Sequence, residues 1–195
     1  IVGGEALAAD KAMRFISQQG SPRTTRLINA YGPTECSVCV SFHEVDPWRE
    51  FQGSVPIGRP IANTEVLILD QKLGLAPMGV AGEICVSGVG LARGYLGQTE
   101  LSAASFVPHP FREGDRLYRT GDVGRWLEDG TLEFIGRRDS QVKIRGHRVE
   151  PGEIAACVME HPGVAAAAVL VREGSAGQSW REVYAVAGKA APAKT

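Results

Sequence analysis

The chain has 195 residues, 44% apolar and 22% charged, with a formal net charge of -1. That is enough apolar material for roughly one to two domains. The near-neutral balance excludes, on charge alone, a case for a nucleic-acid partner or an anionic membrane surface. No apolar run approaches the ~20 residues that span a bilayer, and no basic-then-apolar export pattern opens the chain, so a cytoplasmic protein without membrane or nucleic-acid partners is expected. The four cysteines (Cys36, Cys39, Cys85, Cys157) sit among apolar neighbours. Cys36 and Cys39 have the spacing of a metal or redox pair, but no second Cys/His pair lies at zinc-site distance.

In chain order, Ile1-Val2 enters a glycine pair as a short strand, and Ala6 to Gln19 carries Leu7, Met13, Phe15 and Ile16 in a helical pattern. Gly20-Ser21-Pro22 is predicted to end that helix, and Leu27-Ile28 to begin a buried strand leading to Tyr31-Gly32-Pro33. From Gly58 the texture changes. Glu65 to Asp70 and Gly82 to Gly88 read as dense apolar strands, and Leu117 to Gly136 as a hairpin with a two-residue turn at Asp129-Gly130. Short strands so closely spaced predict a small barrel or curled sheet.

After Gly136, residues 137–148 hold five basic side chains and one acid. Pro151 then opens a helix, with Glu150 expected as its cap and Glu153 suited to the positive end of its dipole. Ile154, Cys157 and Val158 are its predicted buried stripe, and His161-Pro162-Gly163 its stop. Val164 to Arg172 and Val183 to Ala187 read as two further strands. Ile1 has no initiator methionine before it, and residues 188–195 trail off in Lys, Ala and Pro, so a portion of a longer protein is expected.

The most informative stretch is Asn29-Ala30-Tyr31-Gly32-Pro33-Thr34-Glu35. A Gly-Pro turn after a strand exposes backbone and aims the following side chains outward. Tyr31 offers a flat face for a base, Thr34 a hydroxyl for phosphate, and Glu35 a hard carboxylate for Mg²⁺. Taken alone, the same residues also fit a plain turn with Thr34 capping a helix. His43, His109 and His161 match no motif and read as structural or exposed, and nothing marks His147 as an acid or base.

Other motifs flank that stretch in a fixed order: Gly3-Gly4-Glu5 before it, then Gly82-Glu83-Ile84-Cys85-Val86-Ser87-Gly88 with Gly90-Leu91-Ala92-Arg93-Gly94-Tyr95-Leu96. Tyr118-Arg119-Thr120-Gly121-Asp122 and Gly136-Arg137-Arg138-Asp139-Ser140-Gln141-Val142-Lys143-Ile144-Arg145-Gly146 follow. In this order they resemble the core motifs of the adenylate-forming superfamily, and their wording resembles its nonribosomal peptide synthetase adenylation domains. The resemblance covers nearly the whole chain. An acyl- or aryl-CoA ligase is the same-class alternative, and a degenerate nucleotide- or partner-binding module the other.

The resemblance implies a fold that is α/β and β. Residues 1–57 would end a large α/β subdomain, 58–136 form a small distorted β-barrel, and 137–195 begin an incomplete α+β lid domain. It implies activation of an amino acid with ATP and Mg²⁺ as an acyl-adenylate, then transfer to a phosphopantetheine thiol on a partner carrier domain. Carrier and condensation domains of the same synthetase are implied as partners, with a small activator protein as a further possible one. Gly3, Gly4 and Glu5 would line one side of the adenine, with Asn29, Tyr31 and Gly32 on the other. Thr34 would contact the α-phosphate, Glu35 ligate the metal, Asp122 accept from the ribose hydroxyls, and Arg137 reach ribose or phosphate. Asp139 would be the lid hinge, and Lys143, Arg145 and Gly146 would face the pantetheine arm; Thr34, Glu35 and Lys143 form the catalytic set. Ile1, Gly3, Ala30, Val38 and Cys39, all small or apolar, would line the pocket; Gly3 and Ala30 leave volume and the other three supply an apolar wall, which suits a large apolar or aromatic amino acid. The phosphate loop and the catalytic lysine of the family match nothing in these residues, so the chain alone is expected to be inactive.

Overall fold

The computed structural model describes residues 1–18, 26–51, 53–139, 141–144, 147–173 and 179–187. It divides into two compact units, Ile1–Arg138 and Asp139–Thr195. Among the described residues no helix is long and apolar enough to cross a membrane.

The first unit opens with strand β1 (Val2–Gly3), helix α1 (Ala9–Gln18) and strand β2 (Ile28–Tyr31). β1 and β2 pair in parallel, with Gly3 opposite Ala30. α1 buries Ala9, Ala12 and Ile16, one face at helical spacing, against Leu27, Val45 and Val55. It starts later than the predicted Ala6 because the backbone there bonds elsewhere: Val55 N donates to Leu7 O and Ala9 N to Gly53 O. Phe15, expected on the apolar face, is exposed. The predicted stop at Gly20-Ser21-Pro22 lies outside the described residues. A 3₁₀ turn (Thr34–Cys36) leads to β3 (Ser41–Glu44), antiparallel to β2, and β4 (Arg59–Pro60) adds to β3.

The rest of this unit is one curled antiparallel sheet. Its strands are β5 (Thr64–Leu69), β6 (Gly82–Gly88), β7 (Phe106–Pro108), β8 (Arg116–Trp126) and β9 (Leu132–Arg137), with helix α2 (Thr99–Ser105) before β7. The order is β5-β6-β8-β7, with β9 also on β8. Register shifts at Glu83/Cys85 and Val123/Gly124 bend it, as bulges do. β6 lies between two neighbours with both faces covered, so Ile84, Cys85 and Val86 are each at most 1% exposed. The core runs from Ile84 and Val86 to Tyr31 of β2 and to Cys36 and Val40 between β2 and β3, which fixes the two sheets against each other.

The β8–β9 hairpin is as predicted, but its turn is not two residues long. Leu127 N donates to Thr131 O and Gly130 N to Leu127 O, leaving a three-residue loop, 128–130. A two-residue type I′ turn needs positive φ at both central residues. Here Gly130 has φ 74° and Asp129 does not. The Asp129 carboxylate instead accepts from Thr131 N and Oγ1, an Asx turn that selects the longer loop.

The second unit contains β10 (Val142–Ile144) paired with β11 (His147–Val149), helix α3 (Pro151–Met159), and a hairpin of β12 (Val164–Glu173) with β13 (Ser179–Ala187). β13 begins earlier than predicted because its pairing with β12 runs out to Glu173 opposite Ser179. Pro151 opens α3 as expected, but Glu150 makes no side-chain cap. Its carboxylate accepts from the Gln141 side chain instead. The buried stripe is narrower than predicted: Ile154 and Val158 are half-buried, while Cys157 is exposed.

Candidate functional site

Three motif residues far apart in sequence meet in one buried cluster. β2 carries Tyr31, β8 carries Asp122, and β9 places Arg137 directly opposite Asp122. Tyr31 Oη donates to Asp122 Oδ2 at 2.6 Å, and Arg137 Nη1 to Asp122 Oδ1 at 2.6 Å. Asp122 is 4% exposed and the Arg137 side chain 15%. Local backbone fixes the carboxylate: Asp122 N donates to Thr120 Oγ1, which itself donates to Ile84 O, and Gly121 turns with φ 72°. Burial first, and the Asp122 charge second, hold the Tyr31 phenol well above its ordinary pKa. It therefore stays a proton donor at neutral pH.

Next to this cluster, the 3₁₀ turn presents Thr34 on the surface and buries Glu35. Pro33 occupies the cap position, so Thr34 leads the turn rather than capping it. Glu35 Oε1 accepts from Tyr95 Oη at 2.8 Å, and Tyr95 lies 3.3 Å from Tyr118 Oη. Ala92 N donates to Glu35 O, Ser37 Oγ to Gly90 O, and the Arg116 guanidinium to Ala92 O and Arg93 O. The loop from Gly90 to Tyr95 thus holds the turn at both its backbone and its carboxylate. Burial and the Tyr95 hydrogen bond push the Tyr118 phenol up. Burial, then the Glu35 charge, pushes the Cys36 thiol up to about 12, which keeps it a neutral packing group. Among the described residues no three His, Cys, Asp or Glu side chains are grouped to hold a metal ion. One anchored carboxylate still fits Mg²⁺, which takes one or two carboxylates and completes its shell with water and substrate phosphates.

The remaining predicted residues lie as follows. Gly3 stands against Ala30, where an added Cβ would come within 2.5 Å of Ala30 O, so only glycine fits. Gly4 has φ 97°, and Glu5 is exposed. Asn29 is buried, its amide donating to Val55 O and Pro56 O. Gly32 passes the backbone of Val38 and Val40, with Val40 N donating to Tyr31 O. Val38 has φ 73°, a strained conformation for a β-branched residue, and is 67% exposed. Ile1 is exposed, while Ala30 and Cys39 are half-buried. Asp139 Oδ1 accepts from Gln141 N. Lys143 is a backbone member of β10; Arg145 and Gly146 lie outside the described residues.

Two residues with no role assigned from sequence prove central. Tyr95 holds Glu35, and Glu83 gathers Arg119, Arg138 and Gly121 N around one buried carboxylate. Glu83 left a usable signal: a single charge inside the apolar run Gly82 to Gly88 points to a buried, paired group. Tyr95 left only its place at the end of a glycine-rich run.

The family model of AMP-binding enzymes matches residues 1–96. Tyrocidine synthase 1 of Brevibacillus parabrevis is 49% identical over 170 residues, covering 87% of this chain and 16% of its own length. PA1221, described as an NRPS protein containing adenylation and PCP domains, superposes with TM-score 0.82 at 37% identity, over 97% of this chain and 38% of that one. The Vibrio cholerae adenylation domain AlmE, solved in complex with glycyl-adenosine-5'-phosphate, gives TM-score 0.81 at 32% identity, over 94% and 34% respectively. The chain therefore spans about a third of the solved chains and a small fraction of the synthetase.

Proposed function

The chain belongs to the AMP-binding enzymes as part of a nonribosomal peptide synthetase adenylation domain, and from that premise we propose that it supplies the nucleotide-holding half of an amino-acid-activating site. The observation that carries the reading is the Tyr31–Asp122–Arg137 cluster, which joins three separate motifs at a single buried carboxylate. In the reaction, an amino-acid carboxylate oxygen attacks the α-phosphorus of ATP. The bond to the leaving pyrophosphate breaks, and an aminoacyl-adenylate remains. A phosphopantetheine thiol on a carrier domain then takes the acyl group as a thioester and AMP departs.

Asp122 is assigned to the ribose hydroxyls, with Tyr31 and Arg137 fixing the orientation of its carboxylate. Gly3, Gly4, Glu5, Asn29, Tyr31 and Gly32 are assigned to the adenine, Arg137 also to ribose or phosphate, and Thr34, on the surface of its turn, to the α-phosphate. Glu35 would hold Mg²⁺, which neutralises phosphate charge as the α-phosphorus is attacked. Asp139 is the proposed lid hinge, with Lys143, Arg145 and Gly146 turned to the pantetheine arm in the second step. Residues 1–57, 58–136 and 137–195 then serve as core, barrel-like and lid portions of the domain.

Ile1, Gly3, Ala30, Val38 and Cys39 would line a pocket for a large apolar or aromatic amino acid. Carrier and condensation domains are the proposed neighbours, a small activator protein a further one, and the cytoplasm the setting. Activity belongs to the whole domain, and the 195-residue chain alone is expected to adenylate nothing.

The test is amino-acid-dependent exchange of pyrophosphate into ATP by the parent domain, across amino, aryl and fatty acids. Exchange driven by one or a few large apolar amino acids is expected. Exchange driven only by fatty or aryl acids would replace the reading with a CoA ligase, and no exchange at all with a binding module.

A further inference from the structure

Glu83 sits in β6 between glycine and a fully buried apolar run, and is itself 6% exposed. A carboxylate at such a depth is tolerated only when charge and hydrogen bonds meet it. Arg119 reaches its Oε2 through Nη2 at 2.6 Å and Nε at 3.2 Å, and Gly121 N reaches its Oε1 at 3.3 Å. These contacts already satisfy the carboxylate from within the sheet. A second cation is nevertheless present: Arg138 Nη1 lies 3.3 Å from the same Oε2.

Arg138 is the last residue of the first unit, and Asp139 the first of the second. Its backbone is tied as well, Arg138 N donating to Gly121 O at 2.9 Å. The preceding residue, Arg137, holds the other buried carboxylate, Asp122. The chain is thus held by two buried acids through the two residues before Asp139. Asp139 is exposed, and its carboxylate accepts from Gln141 N, further along its own unit.

We propose that Glu83, through Arg138, is a positioning device that ends the rigid part of the chain at residue 138, so that lid rotation begins at Asp139. The inference rests on the proposed hinge role of Asp139 and adds its fixed base. Without the Glu83–Arg138 tie, bending spreads back toward Arg137 and disturbs the hold on Asp122. The lid then reaches its second position less reproducibly, and thioester formation suffers more than adenylation.

The experiment uses the parent synthetase module with its carrier domain. Arg138→Met cuts the tie and leaves the Glu83–Arg119 pair, so folding is retained; Arg138→Lys restores a cation within reach. Hydrogen exchange is measured without substrates, and the two half-reactions are measured separately. In Arg138→Met the amides of Arg138 and Asp139 are expected to exchange roughly tenfold faster, with Ile84 to Val86 unchanged. Thioester formation should fall roughly five- to tenfold relative to pyrophosphate exchange, with Arg138→Lys near the wild type in both. Unchanged amide exchange in Arg138→Met overturns the clamp. Faster amide exchange with an unchanged ratio of half-reactions overturns its pivot role. A wild-type module inert toward every acid overturns the functional reading and the pivot with it, and the amide exchange then judges the clamp alone.

Discussion

The curled sheet β5–β9 and the β12–β13 hairpin are both antiparallel and both rich in apolar residues, yet they treat the same chemistry differently. In the sheet, Ile84, Cys85 and Val86 are at most 1% exposed, and two carboxylates are buried with arginine partners. In the hairpin, Leu170, Val183 and Val186 are 46%, 47% and 61% exposed, and Glu182 pairs with Tyr184 on the surface. Strand composition is therefore not what fixes burial. A strand flanked on both edges and covered on both faces is buried; a lone hairpin with one helix against it is not. Only the first environment makes a carboxylate strict about its partners, because an unmatched charge there has no water to fall back on.

That contrast can be broken by substitution. The largest effect is expected for Asp122→Ala, which leaves Arg137 buried without its anion and should destabilise the parent domain by about 3–5 kcal/mol in urea unfolding. Ile84→Ala follows at about 2–5 kcal/mol, from lost burial and a cavity in a filled core. Leu170→Ala on the open hairpin face should stay near or below about 1 kcal/mol in the same assay. Equal losses at Ile84 and Leu170 would erase the distinction.

Tyr31→Phe removes one donor from the buried Asp122 carboxylate and is expected to weaken the fold by about 1–3 kcal/mol. The exposed Arg26–Glu44 pair is the matched control; Arg26→Ala should leave stability nearly unchanged, because water screens the pair. A smaller effect comes from acid. His43 is 9% exposed, and burial first, then Arg49, lowers its pKa, with Asp129 opposing. The folded protein keeps it neutral, whereas the unfolded chain takes up a proton near pH 6.5. Its contribution is full above that pH and falls as pH drops from about 6.5 toward the lowered folded value. Unfolding midpoints measured from pH 7.5 to 5 should decline with this shape, and His43→Gln should flatten the decline.

Much of this was legible in sequence because the signals are local. The β6 limits, the hairpin over Leu117 to Gly136 and the Pro151 helix start each follow from glycine, proline and alternation within a few residues. The late start of α1 was not legible, since Leu7 and Ala9 bond to residues 53–55, far along the chain. Cys157 was misread because an apolar stripe states a preference for burial, and only the packing partner's width decides how much is met. In the site, motif order pointed to Tyr31, Asp122 and Arg137, but their direct bonding depends on the β8–β9 register and the seat of β2 beside it. Tyr95 and Glu83 act through other residues, and pattern alone gives such groups no role.

The most direct test of the central claim compares ATP with 2′-deoxyATP in pyrophosphate exchange by the parent domain and its Asp122→Asn variant. If Asp122 holds the ribose, the wild type should favour ATP in kcat/KM by roughly tenfold or more, and Asp122→Asn should lose most of that preference. An equal preference in both proteins would contradict the account and leave the Tyr31–Asp122–Arg137 cluster a structural one.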